Sequence, residues 1–155
     1  MSKTLSNYIL ELESYIPQFE IKNSKVSKST VGWQIDHSLK VINGIVSLLK
    51  EAPTDKTPKL RFSGLLFLTL GYIPRGMGKS PKYVLPPEHI EKAQLDNQLS
   101  TAKTLIPQLG GVTNKATFKH PYFGILTKRQ SIRFIEVHTK HHLKIIRDIL
   151  NVRHK

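Results

Sequence analysis

The chain contains no cysteine. That excludes a disulfide-stapled fold, a thiolate metal site and a cysteine nucleophile, and it agrees with a reducing compartment. A long hydrophobic run is missing too. The most apolar stretch, Phe62 to Ile73, is about a dozen residues long, whereas a membrane span needs about 20, so it reads as a largely buried helix. Met1 to Leu5 show no charged stretch followed by an apolar run of signal-peptide length. The expectation is a cytoplasmic protein without a membrane partner. Acidic residues are scarce, 11 against 24 lysines and arginines, giving a formal net charge of +13.

Such a charge points toward nucleic acid. Its distribution argues against that partner. The basic residues are scattered from Lys3 to Lys155 without a dense run, and aromatic residues are not interleaved with them. A solvated basic surface accounts for the pattern, as does attraction of an anionic small molecule into a cleft.

What is present suits one soluble domain across residues 1–155, with 39% hydrophobic and 23% charged residues. Tyr8, Ile9, Leu12, Tyr15 and Ile16 follow a three-and-four spacing, which predicts an amphipathic helix over Leu5 to Phe19. Ser27, Ser29 or Thr30 can cap a second helix running to Lys50, with Ile35, Leu39, Ile42, Val46 and Leu49 inward. Ala52-Pro53-Thr54-Asp55 ends it. A third helix, Leu60 to Tyr72, is apolar nearly all round and is expected to be largely buried.

Gly76 to Ser80 has the look of a phosphate-binding loop but lacks its glycine spacing, so a flexible connection is expected there. A fourth helix runs from Glu88 to Leu109 and stops at Gly110-Gly111. Thr127 and Gln130 form a capping box that opens a last helix to Asn151. No segment alternates with a two-residue period, so the expected class is all-α, an antiparallel four-helix bundle with a short extra helix.

The chemistry concentrates in the last helix. His138 and His142, four residues apart, stack on one face and can offer nitrogens to a common metal ion. His141 can replace His142 at three-residue spacing but cannot join both. The phase of Ile135, Ile145 and Ile149 makes His138 and His142 the inward pair, with Lys140, Lys144 and Arg147 outside. Two core histidines satisfied by neighbouring side chains would give the same spacing. Thr139 stands where a zinc protease needs glutamate, so that reaction is excluded.

His37, on the flank of the second helix with Trp33 and Val41, is the best third ligand; a half-exposed histidine beside Asp36 is the alternative. His89 and His154 read as surface residues. His120, in His120-Pro121-Tyr122-Phe123-Gly124, either shapes a turn that packs Tyr122 and Phe123 inward or overhangs the site. Asp36 and Glu136 are acidic neighbours without an assigned role.

Three blocks in this order, Trp33 to Leu39, His120 to Gly124 and His138 to Leu143, resemble the DinB/YfiT-like superfamily, nearest to a branch described as a domain of unknown function. The resemblance implies a DinB-like helical bundle with a divalent metal held by His37, His138 and His142. It also implies a metal-dependent S-transferase joining a low-molecular-weight thiol to a small-molecule electrophile, or a related metalloenzyme. Three histidines suit zinc or nickel first, and copper or iron as well. Many members carry Arg or Gln shortly after the last histidine, where this chain has Leu143-Lys144-Ile145. A non-catalytic, stress-related metal-binding bundle is the competing expectation, and dimerisation through bundle faces is compatible with either.

Overall fold

The structure is a computed structural model that describes residues 3–51, 56–75 and 81–151. The expected stop at Ala52 to Asp55, the glycine-rich connection Gly76 to Ser80, and His154 lie outside the described residues. The chain is mostly helical: α1 (Lys3–Tyr15), α2 (Val31–Glu51), α3 (Phe62–Leu70), α4 (Lys92–Gln108) and α5 (Lys128–Leu150). Three short strands accompany them, β1 (Lys59–Leu60), β2 (Thr117–His120) and β3 (Gly124–Thr127).

Local signals start the long helices. Thr30 caps α2 by accepting the Trp33 amide at 3.2 Å. At the head of α5, Thr127 Oγ1 accepts the Gln130 amide while Gln130 Oε1 accepts the Thr127 amide, satisfying two N–H groups that the first helical turn leaves over. The apolar stripes then meet. Both α1 and α2 pack against α4 and α5, burying Leu12, Ile35, Leu39, Leu95, Ile135 and Ile146 in one continuous core. Every expected inward position of α2 is buried.

Arg147, expected on the outer face of α5, instead crosses to α1 and grips both Glu11 carboxylate oxygens at 2.6 Å. Its long side chain reaches what its Cα position does not.

The all-α expectation misses the sheet, whose order is β1-β3-β2 with both pairs antiparallel. Strands of two to four residues are too short to print an alternation on the sequence. The β2–β3 hairpin pairs His120 with Gly124 across its end. Only glycine fits at 124, since φ is +89° and an added Cβ would lie 2.1 Å from the Lys59 carbonyl.

The expectation that Leu60 to Tyr72 is largely buried is overturned. Within α3 only Gly64 is buried, and Phe62 is 79% and Leu70 65% exposed. The four long helices already close the core, so α3 is left as an outer rider. It is held where Gly64 sits under Phe123 and where Phe67 meets the Phe123 ring at 5.2 Å. No described helix is long and apolar enough to cross a membrane.

The Glu11–Arg147 pair is the main polar tie between α1 and α5. Glu11→Ala should lower stability by about 1–2 kcal/mol, the range for a half-buried bidentate charged pair, read from urea denaturation midpoints.

Candidate metal centre

Two helices supply the histidine cluster. His37 stands on α2, and His138 and His142 stand one turn apart on α5. Each residue can offer one nitrogen, and the three nitrogens lie within 4.8 Å of one another. The ring centroids are 4.5 Å apart for His138 and His142, 4.8 Å for His37 and His142, and 5.0 Å for His37 and His138. His138 and His142, chosen by spacing and phase, and His37, chosen by its flank and the ordered blocks, are thus brought together, an arrangement that can hold a metal ion.

Two of the rings are oriented from behind. His37 donates its Nδ1–H to the Val84 carbonyl at 2.8 Å. His142 donates its Nδ1–H to Gln34 Oε1 at 2.6 Å, and the Gln34 amide nitrogen in turn reaches Ser27 Oγ at 3.5 Å. These bonds fix the tautomer in which Nε2 carries the lone pair, as metal-ligating histidines require.

His142 Nε2 faces His138 Nε2 at 3.3 Å. Two ligands at opposite ends of a tetrahedral edge around zinc stand about 3.3–3.4 Å apart when each bond is 2.0–2.1 Å. His138 has a buried Nδ1 without a hydrogen-bond partner among the described residues, so no bond from behind orients its ring. Burial lowers the pKa of all three; for His138 and His142 it is far below the usual imidazole range, reinforced by the neighbouring histidines. Neutral imidazoles are the form a cation needs. The donor set, the fixed tautomers and the Nε2 separation all fit a divalent ion.

The other candidates fall into place around this centre. His141 is half-buried, with its ring edge-on to His142 at 5.1 Å, and it stands outside the converging trio. His89 is exposed. Asp36 is buried but turns toward α4, accepting Gln98 Nε2 at 2.5 Å and pairing with Lys40 at 2.7 Å. Glu136 pairs with Arg133 at 3.6 Å.

His120 does both things its sequence context left open. Its Nδ1 accepts the Tyr122 and Phe123 amides at 3.1 and 3.2 Å, shaping the hairpin turn, while its ring stacks flat on Phe123 at 4.2 Å and lines the cavity over the centre. Phe123 is buried as expected, but Tyr122 is 51% exposed.

The cavity itself was not visible in the sequence. It is half open, measures about 540 Å³ and is walled by apolar and aromatic side chains from α2, the segment between α3 and α4, the hairpin and α5, with His37, His138 and His142 at its lining. Trp33, the one tryptophan, lies in its wall and stacks on His37 at 5.2 Å. No aspartate or glutamate lines it among the described residues. Comparison of the chain with protein-family models, curated proteins and solved structures finds no match.

His120 carries a pH signature. Burial lowers its pKa to about 4, against about 6.5 in an unfolded chain. The ring therefore costs nothing above pH 6.5. As pH falls from there toward 4, the unfolded chain takes up a proton that the folded chain refuses, and stability is lost. His120→Asn, which keeps an acceptor for the turn amides, should reduce the stability lost between pH 7 and pH 5 by about 1–2 kcal/mol, measured by urea unfolding at the two pH values.

Proposed function

We propose that this chain is a divalent-metal-binding protein of the DinB/YfiT-like type, in which His37, His138 and His142 hold the ion and the cavity above them receives a small electrophile for transfer of a thiol sulfur. The observation that carries the reading is the convergence of three neutral imidazoles, two of them oriented by hydrogen bonds, at a half-open apolar cavity. The order of the sequence blocks supports the superfamily. So does the packing of α1, α2, α4 and α5 around one core, with α3 as the short extra helix.

A divalent ion in such a site supplies Lewis acidity, lowering the pKa of a thiol or water beside it. The protein's own residues do the rest. Val84 and Gln34 hold two of the histidines in register, and the apolar walls favour an apolar electrophile beside them. In the transfer, the thiol proton passes to solvent, the sulfur bonds to the electrophilic carbon, and the leaving group departs with its electron pair. Zinc or nickel is the expected metal, and the thiol is of low molecular weight.

The absence of carboxylates from the described lining favours a second reading. A cavity whose described lining holds no carboxylate serves equally as a metal-dependent binding module without turnover. Assays with a panel of electrophiles, with and without added thiols, divide the two, since only the first reading yields a thioether product.

Elemental analysis of the purified chain should find about one divalent ion per molecule. His37→Ala, His138→Ala and His142→Ala should each abolish it, and unchanged metal content in all three would remove the assignment. Gln34→Ala, which leaves every ligand in place, should weaken metal affinity by roughly 10–100-fold in a chelator competition.

A further inference from the structure

We infer that the cavity selects an amphiphile, a molecule with an anionic metal-ligating head and an unbranched apolar body of about ten carbons. The head clause rests on the metal reading above; the body clause does not.

Helix α2 sets the length of the apolar body. His37, Val41, Gly44, Ile45 and Leu48 all line the cavity from this one helix. From His37 to Leu48 the helix advances roughly 16 Å at 1.5 Å per residue. The cavity therefore runs away from the histidines as a trough. Val41, Ile45 and Leu48 give it an apolar floor along that length. Gly44 widens it: a Cβ placed there would meet nothing within 4 Å. Phe118 and Phe134 face the trough from β2 and α5. A staggered hydrocarbon chain advances roughly 1.3 Å per carbon, so about ten carbons and a head group fill the trough.

Besides histidines, the polar side chains of the described lining are Lys40, Ser47, Tyr83 and Tyr122. Lys40 is the one lysine or arginine in the described lining, and its ammonium already pairs with Asp36 at 2.7 Å and donates to the Leu85 carbonyl at 3.2 Å. A hydrophilic ligand with several charged groups would leave most of them unpaired against apolar walls. The polarity that the site can answer is concentrated at the histidine end. Three neutral imidazoles leave a bound cation's charge uncompensated, so a carboxylate or thiolate is the complementary head.

Trp33 is a built-in reporter, because it is the sole tryptophan, lines the cavity and stacks on His37. The test titrates the zinc-loaded and the chelator-stripped full chain with butanoate, hexanoate, octanoate and decanoate, following Trp33 fluorescence. In the loaded protein, affinity should rise about threefold to fourfold per methylene. Stripping should weaken every ligand while preserving that slope. Gly44→Phe places a ring in the trough at an exposed helical position; it should lose decanoate binding by at least tenfold while retaining butanoate.

Loaded and stripped curves that coincide, with the slope intact, would support the apolar trough and remove the metal-held head. Equal affinity for butanoate and decanoate, or decanoate binding unchanged in Gly44→Phe, would overturn the proposal.

Discussion

The first turns of α2 bury four polar side chains, Gln34, Asp36, His37 and Ser38, and each must find a partner away from water. Because successive helical residues point about 100° apart, those partners lie on different sides. Gln34 reaches His142 on α5, Asp36 meets Gln98 on α4, His37 bonds the Val84 carbonyl ahead of α4, and Ser38 turns back on the Gln34 carbonyl. One stretch of helix is thereby fixed to its neighbours in several directions at once. The position of the histidine cluster follows from that fixing. A small rotation of α2 would break the Gln34 and Val84 bonds together and carry His37 out of reach of α5.

Much of this was legible in the sequence because it is local. The His138–His142 spacing, the Thr127–Gln130 capping box and the α2 stripe are set by helix geometry alone, which is the same in every fold. His37 was harder, since nothing near it in sequence points to α5; its flank and the ordered blocks were the only signals. Other features depend on distant chain. The grip of Arg147 on Glu11 spans the chain from α5 to α1. Strands β1 and β3 pair across more than sixty residues, and the trough exists only where α2, the segment ahead of α4, the hairpin and α5 come together.

The scarcity of acid noted at the outset has a structural counterpart. Glu11, Glu13, Asp36, Asp96, Glu136 and Asp148 are all engaged in ion pairs with lysine or arginine. The cavity has no negative lining of its own among the described residues, in a chain whose net charge is +13. That combination draws anions inward from solution, whatever their remaining chemistry.

The outward-facing α3 gives the molecule two incompatible surfaces, one strongly cationic and one as apolar as a core. Ionic strength acts on them in opposite directions. At low salt, mutual repulsion between molecules of charge +13 keeps the exposed Phe62, Leu65 and Leu70 of different copies apart. Added sulfate or phosphate screens the charge and strengthens apolar association at the same time. The protein's solubility should therefore fall steeply over a narrow range of such salts, and its charge surplus acts as the solubilising counterpart of its bare helix.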